Sequence, residues 1–286
     1  MTAPTRRLKV TVTSVWAQVI GIPLFVLVAA LADRALGGTL TGAGLVAVGL
    51  VMAAVPAVLW LLAFYREDRL EPEPKTLVLG VFVLAALLAQ AVGQPLIRLL
   101  TGPDPSWLVG VATAVLVVGM VQEFLKYAAV RYTVYTTPQF DHRIDGVLYG
   151  ASAGLGYATV LNVQYILDHG GVDLGVGAIR VAITALAQAS FAGLSGYALG
   201  RAKFDRRPAL WLPAAVGGAA LLNGAVSVML RDLPWVGGLD FRPEYGLVLA
   251  VLVAGTTFAF LFTRMRGLNA ADERWAAEHP AGGSAP

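Results

Sequence analysis

The chain has 286 residues, of which 57% are hydrophobic and only 14% charged, with a formal charge of +3 and a mean hydropathy of +0.69. Soluble domains usually carry about 25% charged residues, so too few charges remain to solvate a globular surface. The absence of cysteine excludes disulfides, thiolate metal sites and cysteine nucleophiles together.

Apolar runs follow one another at 12–32, 42–65, 76–97, 106–130, 145–167, 176–200, 209–230 and 243–263. Each has about the 20 residues that a spanning helix needs, and in lipid a helix satisfies its own backbone hydrogen bonds. The first run is followed by Asp33 and Arg34 with no small-residue cleavage signal, so it reads as a retained helix rather than a signal peptide. The connections are short and hold most of the Asp, Glu, Arg and Pro. The expected fold is therefore an all-α, polytopic membrane helical bundle of about eight transmembrane helices. It forms a single domain over 1–266, followed by a short, disordered cytosolic tail over 267–286.

Counting basic residues on alternate connections gives an orientation. Arg6, Arg7, Lys9, Arg66, Arg69, Lys75, Lys126, Arg131, Arg143, Arg201, Lys203, Arg206, Arg207, Arg264, Arg266 and Arg274 fall on one side, 16 of the 21. Arg34, Arg98, Arg180, Arg231 and Arg242 fall on the other. Positive charge favours the cytoplasmic side, so both termini are expected in the cytoplasm. The basic balance thus reflects membrane topology, and no nucleic-acid partner is expected. Lysine is scarce beside arginine, a habit of GC-rich bacteria, so the expected location is a bacterial cell membrane with the lipid bilayer as the main partner.

Charged and amide side chains inside a span are costly and mark function by default. The fourth run holds Gln122, Glu123 and Lys126. Glu123 precedes Arg131 by eight residues, about 12 Å along a helix axis, which places it within the bilayer. Lys126 shares its face and either pairs with it or snorkels to the interface. The fifth run opens with Asp141 and Asp145, where Asp145 can cap the helix, and continues to Asn162, Gln164 and Tyr165. Gln188 and Ser190 follow in the sixth run and Asn223 in the seventh. Each alone suits hydrogen bonding between helices; together with Glu123 they could line one polar cavity. Repeated small residues, as in 150–154 and 192–200, suit close helix packing. The three histidines, His142, His169 and His279, all fall outside the spans. A zinc site in a bundle needs several His or carboxylate ligands converging from facing helices, so neither an intramembrane zinc nor any other cofactor is expected.

In order and spacing, these polar runs resemble the PrsW-type intramembrane protease family, in the same broad group as the CAAX-processing membrane proteases. The resemblance runs from about Tyr65 to Asn223. It rests on the acidic stretch Asp68-Arg69-Leu70-Glu71-Pro72-Glu73-Pro74, and on Glu123 with Lys126 as part of a Glu-Glu-x-x-Lys motif. It continues with Phe140-Asp141, Asp145-Gly146 to Tyr149-Gly150, and Gly154 to Ala158, then Arg180, Gly196-Tyr197 to Gly200, and Asn223. The resemblance implies a multi-pass endopeptidase acting within or beside the membrane through a glutamate-activated water with histidine support. The chain departs from the pattern on the chemistry. Gln122 stands for the first glutamate, Leu161 for another, and Gln188 and Ala219 for two histidines, while Ala192 replaces a hydroxyl residue.

Three readings follow. One is a catalytically degenerate homologue that binds a membrane partner, such as a single-span protein, without cutting it. Another is an active endopeptidase with Glu123 as general base and Gln188 and Asn223 as polar support. The third is a transporter or small-ligand protein on the same scaffold.

Overall fold

The computed structural model describes residues 21, 24–35, 42–67, 74–102, 106–171, 174–232 and 242–278. These residues are all-α, in eight helical segments: α1 (24–35), α2 (Ala43–Glu67), α3 (Lys75–Leu100), α4 (Trp107–Arg131), α5 (Arg143–Asp168), α6 (Leu174–Phe204), α7 (Trp211–Asp232) and α8 (Pro243–Glu278). Among the described residues, five helices are long and apolar enough to cross a membrane: α3, α4, α6, and the stretches Trp211–Leu230 of α7 and Pro243–Leu261 of α8. Most of the first apolar run, the acidic stretch 68–73 and His279 lie outside the described residues.

α5 falls short on apolarity, and its position gives the reason. It is the hub of the bundle, packed along α6 and flanked by α2, α3 and α4, so its neighbours rather than lipid surround it. Its buried residues run almost without a break from Asp145 to Ala158. Shielded over this stretch and at Asn162, α5 can carry Asp145, Ser152 and Asn162 where a lipid-facing helix could not.

The α5–α6 contact is made by small residues. A Cβ on Gly146 or Gly150 would strike the backbone of Gly196 or Ala192. One on Gly154 would meet the carbonyl of Gln188 and lie 2.8 Å from the Ala189 Cα. In lipid, where apolar surface gains little by pairing, such close backbone approach supplies the dispersion that holds helices together. The α4–α7 contact uses the same device, with Gly119 against the Ala220 carbonyl and Gly224 against Val115 and the Ala114 carbonyl.

Two helices are locally widened into π-turns, α3 at Ala89–Gly93 and α4 at Ala114–Val118. α8 continues to Glu278, so the first part of the segment expected as an irregular tail is helical. Ala270, Ala271, Ala276 and Ala277, interspersed with Glu and Arg, are strong helix formers. The connection between α4 and α5 is held by Lys203 of α6, whose Nζ donates to the carbonyls of Tyr135 (2.7 Å), Thr137 (3.3 Å) and Phe140 (2.6 Å). Nearby, Asp205 takes the guanidinium groups of Arg143, Arg201 and Arg207.

Candidate functional site

Gln122, Glu123 and Lys126 share one face of α4, one turn beyond Gly119. Gly119 lets α4 touch α7 at Ala220, close enough for the Asn223 side chain of α7 to reach Glu123. Because Gly154 lies on the Gln188 backbone, α6 is held close enough for Gln188 to reach the same point.

Five side chains from three helices then close a single polar network, which a sixth, Ser227, extends along α7. The Lys126 ammonium forms an ion pair with Glu123 Oε1 and donates to Gln188 Oε1 at 2.6 Å. Gln188 Nε2 donates to Gln122 Oε1 at 2.8 Å. Asn223 Nδ2 donates to both Gln122 Oε1 (3.1 Å) and Glu123 Oε1 (2.8 Å), and Ser227 Oγ donates to Asn223 Oδ1 at 3.3 Å. Glu123 is fully buried, and Lys126 and Asn223 are each 1% exposed. Of the two alternatives open for Lys126, pairing is the one realised. Inside a bilayer a charge is tolerated when neutralised and hydrogen-bonded, and this network supplies both conditions.

Two buried polar atoms beside the network are left without a partner, Glu123 Oε2 and the Tyr157 hydroxyl. The Tyr157 ring lies 5.8 Å from Lys126 Nζ, and the hydroxyl faces the widened turn of α3 at Gly93. Sequence reasoning reaches Tyr157 only as part of the family-like segment Gly154 to Ala158 and gives it no role of its own. Its signal was a bulky polar residue among the small residues of 150–158.

The other expected site residues lie elsewhere. Asn162 is buried and donates to the Val181 carbonyl (3.3 Å), a link between α5 and α6. Tyr165 sits near the far end of α5, with the Arg180 guanidinium 3.9 Å above its ring and the His169 ring 4.1 Å away. Asp141 and Asp145 stand at the N-terminus of α5. There Asp145 Oδ2 accepts from the His142 N–H at 2.6 Å, and His142 Nδ1 contacts Asp141 Oδ1 at 2.7 Å. Asp141, His142 and Asp145 bring their ligand atoms within 4.8 Å of one another. His142 and Asp145 form a capping box of the kind that satisfies free amides at a helix N-terminus, with Asp141 held beside it.

The donor set of the buried network is one carboxylate, three amides and an ammonium. A divalent transition metal wants imidazole, thiolate or several carboxylates. Here the carboxylate is shared with a cation, and Ala219, one turn before Asn223 on α7, offers no donor. The buried network does not fit a metal.

Residues 73–261 match the family described as "PrsW family intramembrane metalloprotease". The chain is 33% identical to Protease PrsW of Geobacillus kaustophilus over 166 residues, covering 57% of this chain and 72% of that protein. It is 28% identical to Protease PrsW of Bacillus subtilis over 186 residues, 63% of this chain and 82% of the relative. Against Protease PrsW of Clostridioides difficile it is 25% identical over 189 residues, covering 63% and 78%. No solved structure matches. The match over two thirds of the chain takes in α3 to α7 and every member of the buried network. The chain belongs to the PrsW family of intramembrane proteases.

Proposed function

We propose that this chain is a catalytically silent PrsW-family protein of the cell membrane, both termini cytoplasmic, that binds a membrane-protein partner without cutting it. The observation that carries this is the closed network around Glu123. Its carboxylate is neutralised by Lys126 and accepts from Asn223 on the same oxygen. A general base has to reach the proton it removes, and an oxyanion needs a donor not already committed. Asn223 Nδ2 gives both of its hydrogens to Gln122 and Glu123, and Lys126 is divided between Glu123 and Gln188. What the family resemblance implies as a reaction centre serves here as a polar clasp joining α4, α6 and α7.

A second reading draws on Glu123 Oε2, which has no partner. A water held there, beside the equally unpartnered Tyr157 hydroxyl, could give up a proton to the carboxylate as it attacked a peptide carbonyl.

Incubating the purified chain in liposomes with single-span membrane proteins, wild type beside Glu123→Gln, separates the two. The silent reading predicts intact partner with both forms. Product from wild type, lost in a folded Glu123→Gln, would establish the second reading.

A further inference from the structure

The widened turn of α3 has a local cause. Pro95 directly follows Gln94, lacks an N–H, and crowds the carbonyl one turn back. The helix opens so that the Gln94 N–H reaches the Ala89 carbonyl, and the missing proline donor leaves a carbonyl of this turn with no main-chain partner. Ala89 and Gly93 face inward and are buried, while Gln90, Ala91 and Val92 face outward. Beside them, Gln164 Nε2 of α5 donates to Gln90 Oε1 at 2.5 Å in an exposed contact. Among the described residues, that one bond leaves the Gln90 NH2 group and the Gln164 carbonyl oxygen unused.

Gln90 is fifteen residues from Lys75, about 22 Å along a helix about 39 Å long, so the notch lies well within the span. Irregular backbone and free amides at that depth are tolerated where protein or water covers them, not hydrocarbon. The second π-turn obeys this rule, since Gly224 of α7 lies against its Ala114 carbonyl. Tyr157 and Leu125 cover the first on its inner side at Gly93, whereas among the described residues Gln90, Ala91 and Val92 on its outer side stay exposed.

We propose that the Gln90–Gln164 notch is where the protein holds its partner, and that it takes a transmembrane segment of another protein with an amide or hydroxyl side chain at matching depth. Such a side chain both gives and receives hydrogen bonds, as the notch does, and a purely apolar helix or a lipid tail can do neither. This rests on the reading of the chain as a binder of membrane proteins.

The test reconstitutes the full chain in liposomes, labelled at Leu99→Cys in this cysteine-free sequence. The probes are synthetic spanning peptides of leucine and alanine, either with one asparagine at graded depths or with none. Energy transfer reads binding, and mass spectrometry of the same liposomes reads cleavage. The asparagine peptides should bind with an optimum at one depth, and the double variant Gln90→Leu/Gln164→Leu should weaken that binding about tenfold. The all-apolar peptide should bind poorly to both forms. Equal binding of both peptides, or unchanged binding by the double variant, would overturn the proposal. So would energy transfer between two copies of the chain that competes with the peptide, or reaction of Ala91→Cys with a water-soluble thiol reagent, which would mean that water fills the notch. A cleaved peptide would instead refute the silent reading while leaving the notch in place.

Discussion

Removing Lys126 while keeping Glu123 should be among the most damaging single changes in this chain. Lys126→Met leaves a fully buried carboxylate with Asn223 as its one hydrogen-bond donor among the described residues. Breaking a buried pair from one side costs about 3–5 kcal/mol. Glu123→Gln is milder, because the ammonium keeps the Gln188 oxygen and gains the new amide's, so about 1–3 kcal/mol is expected. The double variant removes both charges and should cost about 0–2 kcal/mol, since replacing a buried pair with neutral groups of similar volume is often near neutral. The cycle therefore predicts a coupling of at least about 2 kcal/mol. Thermal unfolding in detergent, followed by intrinsic tryptophan fluorescence, reads it, and Lys126→Met should melt about 10 °C below wild type. Additive single effects, with coupling below about 0.5 kcal/mol, would show that the two groups are separately hydrated and that the clasp does not exist.

Three further outcomes follow from the packing. Gly154→Ala places a Cβ against the Gln188 carbonyl, which backbone cannot yield, and should cost about 1–3 kcal/mol. Gly80→Ala, with nothing within 4 Å, should instead be neutral or stabilising by up to about 1 kcal/mol; equal melting shifts would contradict the α5–α6 contact. Lys203→Met strips a shared donor from three carbonyls and should cost about 2 kcal/mol. It should also speed protease nicking between Arg131 and Arg143 in membranes, and unchanged nicking would mean that the connection is held by other contacts.

The sequence made the helices legible because lipid imposes a length and an apolarity on any span, and seven of the runs recur as helices with starts within about three residues. α8 runs on past its apolar stretch because alanine-rich sequence continues a helix without lipid to reward it. Gln122, Glu123, Lys126, Gln188 and Asn223 could be named because an amide or a charge within a span is too costly to sit there without a partner. A shared polar cavity could be expected, but which residues meet in it could not be read, since that depends on Gly119 and Gly154 setting two interhelical distances. Asn162, Tyr165 and Arg180 are likewise polar but lie nearer the α5–α6 connection, and one-dimensional order does not separate them from the network. The notch at Gln90 was hidden for a different reason. Its cause is Pro95, whose effect falls on the carbonyls of the preceding turn rather than on any side chain.

Whether the buried network can cut a peptide bond decides between the silent clasp and a working protease. The measurement is product formation from a panel of single-span proteins in liposomes by wild type and Glu123→Gln, beside a variant carrying Gln122→Glu, Gln188→His and Ala219→His, each shown to be folded. A silent clasp gives no product from wild type or Glu123→Gln, and product, if anywhere, from the restored variant alone. Cleavage by wild type that disappears in Glu123→Gln would contradict it and make Glu123 a working base despite its ion pair with Lys126.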